Sequence, residues 1–127
     1  YRRRAEVIVE TFSGEVARNF FPLATFLNNI EFLERPLEIV LVGERGTSAF
    51  DALWRAVYDV SLTTRVVVAL SPGSSLPTDH PAFGKGAVNG KPAAYVCVGP
   101  VCSLPVTDPR DLTDRLTTTA SPINPVL

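Results

Sequence analysis

The chain of 127 residues has a single histidine and only two cysteines, and this scarcity sets the first limits on its chemistry. A closed zinc site takes about four ligands, mostly Cys and His, so none can be assembled within the chain, and no metal or cofactor is expected. Neither sign of charge is in surplus, since 12 Lys plus Arg face 13 Asp plus Glu for a net charge of −1. With no basic stripe beyond Arg2-Arg3-Arg4, read here as a solvated first helical turn, the composition argues against nucleic acid as a partner. No apolar run reaches the ~18 residues of a membrane span, and no stretch combines a charged start, an apolar middle and a small-residue cleavage site. The expectation is a cytoplasmic protein with no membrane partner. Its start in a helical pattern without Met points to a piece of a longer polypeptide.

What is present is an ordinary globular composition, 46% hydrophobic and 20% charged, and it changes character along the chain. Ala5, Val9, Phe12, Val16 and Phe20 recur at helical spacing, as do Leu23, Phe26, Leu27, Ile30 and Leu33. Phe21-Pro22 marks the joint between the two helices, because proline lacks an amide hydrogen and is harmless only in a first turn. Pro36 closes a helical hairpin over residues 1–36. Its aromatics, Phe12, Phe20, Phe21, Phe26 and Phe32, offer more apolar surface than two helices cover by themselves.

From residue 37 the period shortens. Leu37-Glu38-Ile39-Val40-Leu41-Val42 reads as a central strand buried on both faces, and Arg65-Val66-Val67-Val68-Ala69-Leu70 as a second. Between them, Ser48 with Asp51 three positions later forms a capping-box-like start to a helix carrying Phe50, Leu53, Trp54, Val57 and Tyr58. The expected unit is a parallel, right-handed βαβ. Residues 71–90, rich in Gly, Pro and Ser, then cross to a third strand, Ala93 to Val98. Asp108-Pro109 supplies an N-cap and a first-turn proline for a last helix whose inner face is Leu112 and Leu116. The fold class is α/β: a helical hairpin, then an α/β domain over 37–120 with a small, mainly parallel sheet of about three strands flanked by helices, and a disordered tail over 121–127.

Four features offer chemistry. The loop Gly43-Glu44-Arg45-Gly46-Thr47-Ser48 joins a strand to a helix start, where free amides favour an anion, so Gly43, Gly46, Thr47 and Ser48 are candidate anion ligands. It lacks both the lysine of a phosphate loop and the three close glycines of a dinucleotide loop, and a capped turn accounts for the same residues. Gly84 to Lys91 looks like a phosphate cradle, but Asn89-Gly90 marks a type I′ turn. His80, flanked by Asp79 and Pro81, has no second histidine to work with, and nothing resembles a nucleophile elbow, so no catalytic residue is assigned.

The fourth feature is the pair Cys97 and Cys102 around Gly99-Pro100. Four intervening residues on a strand and its exit do not fit a thioredoxin-type dithiol, which has two at a helix start. If Gly99-Pro100 forms a two-residue turn, the cysteines face each other and a disulfide is geometrically possible. Structural thiols, a reversible disulfide, and a role shared with another domain stay open, the first being the leading expectation.

The string Gly90-Lys91-Pro92-x-x-Tyr95-Val96-Cys97-x-x-x-x-Cys102-x-x-Pro105-Val106-Thr107-Asp108-Pro109 resembles the C-terminal segment of the large thioredoxin-domain proteins of the YyaL and spermatogenesis-associated type. His80-Pro81 and the Leu37 to Gly43 strand after two helices fall in the same order, whereas the Ser/Pro-rich 71–78 stretch departs from it. The resemblance implies a parent with an N-terminal thioredoxin-like domain, then an (α/α) barrel similar to those of N-acylglucosamine 2-epimerases and six-hairpin glycosidases, then this segment. The hairpin would derive from the end of that barrel. The family's thioredoxin-type cysteine motif and barrel pocket lie outside these residues, and only Cys97 and Cys102 match the family's terminal cysteine pair. The implied function is a non-catalytic accessory or interaction domain whose partners are the helical-barrel and thioredoxin-like domains of the same parent. The alternatives are a secondary thiol redox relay through Cys97 and Cys102, and an anion-binding module at Gly43 to Ser48.

Overall fold

The computed structural model describes residues 1–120 apart from 17, 20, 35 and 63, so the Phe20 assignment and the tail over 121–127 lie outside the described residues. Helices α1 (Arg2–Val16) and α2 (Ala24–Glu34) form the expected hairpin, with Pro22 in the turn before α2. Then follow β1 (Leu37–Val42), α3 (Ser48–Asp59), β2 (Arg65–Leu70), β3 (Ala93–Val98), β4 (Val101–Cys102) and α4 (Pro109–Ala120). The chain is thus a mixed α/β protein.

β1 runs at the centre because nearly every residue in it is apolar, which only a strand covered on both faces tolerates. Leu37, Ile39 and Leu41 point into the larger core with Phe50, Leu53, Ala56 and Val57 of α3 and Leu112 and Leu116 of α4. Val40 and Val42 point the other way, onto Ala82 and Leu76 of the connection that covers the second face. Trp54 and Tyr58 stand on the flank of α3, their rings 5.3 Å apart, and the Arg65 guanidinium lies 4.5 Å from the Tyr58 ring centroid. Arg65 also donates to the Val60 carbonyl at 3.0 Å, at the helix end where carbonyls lack helical partners.

The sheet corrects one expectation. Among the described residues it has four strands in the order β2-β1-β3-β4, of which only β1 and β2 are parallel; β3 runs antiparallel to β1, and β4 antiparallel to β3. The reason lies in residues 71–92, which form turns but no helix. An antiparallel β3 starts at the end of the sheet where β2 stops, so the connection need not return along the full sheet as a βαβ crossover must. The Asn89-Gly90 turn closes as expected, with Val88 and Lys91 exchanging backbone hydrogen bonds at 3.0 and 2.9 Å.

Asp108 caps α4, its Oδ1 accepting from the Arg110 amide at 2.8 Å. The cap of α3 is Thr47 rather than Ser48. Thr47 is extended (φ −81, ψ 143), which lets its hydroxyl accept from the Phe50 amide at 3.3 Å, while Ser48 already belongs to the first turn. No described residue of the hairpin belongs to either core. α1 and α2 contain no buried residue, and between them Phe12 and Phe26 form an edge-on pair with centroids 6.2 Å apart.

Candidate functional site

Of the four sequence candidates, only the Gly84–Lys91 stretch, through Lys85, and the cysteine pair, through Cys102, line a common cavity. Gly43 ends β1 against the Pro92 ring: a Cβ there would stand 2.7 Å from Pro92 Cβ and 3.0 Å from the Phe50 ring, so glycine is required by close packing. In the same loop the Thr47 hydroxyl donates to the Glu44 carbonyl at 2.8 Å while it accepts from Phe50. Arg45 reaches away to the Ala69 carbonyl at 3.2 Å, on the outer edge of β2. Gly46 and Thr47 therefore stand in a loop whose Thr47 hydroxyl and Arg45 guanidinium are already engaged within the chain, and Ser48 opens α3. His80 is also engaged locally, its Nδ1 accepting from the Ala82 amide at 3.1 Å and shaping the connection beneath the second face.

The cysteines sit at the opposite end of the sheet. β3 ends at Val98, and Gly99 takes a φ of +57 at the first central position of the turn, with Pro100, whose ring holds φ negative, at the second. That two-residue turn sets Val98 opposite Val101 and Cys97 opposite Cys102. The Ser103 amide donates to the Val96 carbonyl at 2.8 Å, so the backbone of Val96 faces β4 and that of Cys97 faces β1. Cys97 and Cys102 hence form a non-hydrogen-bonded antiparallel pair, the position at which opposed side chains come closest. They are joined as a disulfide.

This corrects the leading expectation of structural thiols. Cys97 is buried, 1% exposed beneath the strands, while Cys102 on the edge strand is exposed. The burial of each half follows its strand: β3 has a neighbour on both sides, and β4 on one. Beside the bond lies a cavity of about 320 Å³ lined by Cys102, Gly99 and Pro100 from the turn, Pro36 and Glu38 from β1 and its approach, Pro81 and Lys85 from the connection, and Arg2 from α1. Arg2, Glu38 and Lys85 bring charge to its lining beside Cys102. The Lys85 ammonium donates to the Pro81 carbonyl and lies 6.0 Å from the Tyr95 ring centroid, and the Tyr95 hydroxyl donates to the Gly86 carbonyl at 2.7 Å. These contacts fix the connection over the cysteine end of the sheet.

Sequence reasoning found the cysteines, singled out Lys85 only within the Gly84–Lys91 stretch read as a turn, and missed Glu38. The signal for Glu38 was present, since it is the one charged residue in an otherwise apolar six-residue strand. Its place beside the cysteines depends on antiparallel pairing with β3, which local pattern does not supply. Comparison with protein-family models, with curated proteins and with solved structures gives no match in any of the three. Among the described residues no helix is long and apolar enough to cross a membrane.

Proposed function

We propose that this chain is a non-catalytic accessory domain that docks through its helical hairpin onto the preceding (α/α) barrel of a larger thioredoxin-domain protein in the cytoplasm. The observation that carries this reading is the hairpin: Val7, Ile8 and Phe12 of α1 and Phe32 of α2 stay exposed, and neither helix holds a buried residue. Helices this short are marginal in water without tertiary packing, so a pair that is at most half-buried against itself and keeps these apolar side chains exposed calls for a neighbour. The occupant follows from the resemblance, in which the hairpin continues a helical barrel.

Removing residues 1–36 is expected to change the stability of the α/β body by less than about 1 kcal/mol, since no core contact is lost. Urea denaturation followed by tryptophan fluorescence at Trp54 reads this directly. In the longer protein that includes the preceding helical domain, the amides of α1 and α2 are expected to exchange with deuterium at least about 100-fold more slowly than in the isolated chain. Equal exchange in the two contexts overturns the docking reading.

A second reading is favoured by a specific observation, the disulfide whose Cys102 half opens on a charged cavity. In this reading the pair relays electrons for a dithiol of the parent's thioredoxin-like domain. Such a bond must open without unfolding the domain. Its reduction is expected to lower stability by about 2 kcal/mol, the loop-closure entropy of so short a ring, and to leave the sheet folded. Alkylation and mass spectrometry after treatment with a reduced dithiol protein, with circular dichroism in parallel, test this. A pair that stays oxidised until the domain unfolds overturns the relay.

A further inference from the structure

Glu38 is paired across the antiparallel ladder with Cys97, and Cys97 in turn with Cys102. Directly opposed residues on neighbouring strands project from the same face, so Glu38, Cys97 and Cys102 form a row across three strands. This row lies on the face that the 71–92 connection covers. Glu38 is half-buried, and both it and Cys102 line the cavity of about 320 Å³, whereas Cys97 is 1% exposed. The other charged or titratable groups facing this region are Lys85 and Tyr95, tied to the connection as described, and Arg2, whose Nε is 2.9 Å from Glu6 Oε1. On the β2 side Glu38 is opposite Val66, which carries no charge. A carboxylate-bearing residue is thus directly opposite the buried cysteine in the ladder and shares a cavity with the exposed one.

We propose that the Cys97–Cys102 disulfide is opened at Cys102 by an incoming dithiol, and that the Glu38 carboxylate carries the proton that Cys97 gains on opening and loses on closing. This rests on the thiol-exchange reading above. In the opening step one thiolate of the dithiol attacks Cys102 Sγ, the bond between the two cysteines breaks, and its electron pair stays on Cys97 Sγ. A mixed disulfide to Cys102 forms, and the Cys97 thiolate takes a proton passed from solvent through Glu38. The second thiolate of the dithiol then attacks its own sulfur in the mixed disulfide and expels the Cys102 thiolate. The dithiol leaves as a disulfide, and two electrons have moved to the cysteine pair. In closing, Glu38 accepts the Cys97 proton, and the Cys97 thiolate attacks Cys102 Sγ of a mixed disulfide and expels the partner's thiolate. Attack at Cys102 follows from access, because a displacement requires the nucleophile to reach the sulfur in line with the bond it breaks.

The test uses dithiothreitol to open the bond and glutathione disulfide to close it. With Cys97→Ser and Cys102→Ser, each leaving one thiol, the Cys102 thiol is expected to react with glutathione disulfide at least about 100-fold faster than the Cys97 thiol. In reduced wild-type protein the intramolecular closing step, followed by acid quench and mass spectrometry between about pH 5 and 9, is expected to vary weakly with pH through the neutral range. Glu38→Gln is expected to slow closing about 10- to 100-fold near neutrality and to make it rise about tenfold per pH unit, with Glu38→Asp partly restoring the wild-type profile. A merely structural Glu38 would shift the urea midpoint without changing that slope. Equal labelling of the two thiols overturns attack at Cys102, and superimposable pH profiles for wild type and Glu38→Gln overturn the proton-carrying role. Failure of dithiothreitol to open the native bond overturns the thiol-exchange reading itself, an outcome distinct from either.

Discussion

Leu41→Asp is expected to unfold the α/β body. Leu41 is fully buried in β1, which lies between β2 and β3, with its side chain in the core shared by α3 and α4. The substitution removes a large apolar side chain and places a carboxylate where no described cation or donor faces the core, and buried polar or charged residues are absent from the described structure. An uncompensated buried charge together with the lost packing costs at least about 4 kcal/mol, a large share of the roughly 5–15 kcal/mol that holds a domain together. The expected result is loss of near-ultraviolet circular dichroism and of a cooperative urea transition at room temperature. A soluble variant with the wild-type midpoint would show that β1 is not the central strand.

The next largest effect is expected at Leu116. Its side chain is fully buried on α4, one turn beyond Leu112, and both pack into the core that β1 and α3 share. Leu116→Ala removes those contacts and leaves a cavity, which costs about 2–5 kcal/mol according to how far the surroundings collapse. The same truncation at the exposed Leu104 is expected to change stability by less than about 0.5 kcal/mol. Comparing the two in urea melts separates packing from a general loss of apolar surface. A Leu116→Ala variant as stable as Leu104→Ala would mean that α4 does not close the core.

Both expectations rest on burial that the sequence pattern already carried, and the functional site shows where that kind of legibility stops. The strands 37–42, 65–70 and 93–98 have in the structure the bounds their composition indicates. The Asn89-Gly90 and Gly99-Pro100 turns, the Asp108 cap and the inner face of α4 were equally legible, because each depends on a few adjacent residues. The α3 cap was misplaced by one residue, since Thr47 and Ser48 are both competent caps and the loop geometry before them chooses.

Which segments become helix, strand and turn, and which face of each is apolar, is written locally in the chain, since backbone preference and side-chain periodicity act within a turn or two. The antiparallel return of β3, the fourth strand, and the register of Glu38 with Cys97 and Cys102 come instead from long-range packing. Those facts depend on where a helix-free connection of roughly 20 residues re-enters the sheet, and strand direction is set by that long-range return. A shift of one residue in the β1–β3 register would move Cys97 out of the row with Glu38, because successive side chains alternate between faces.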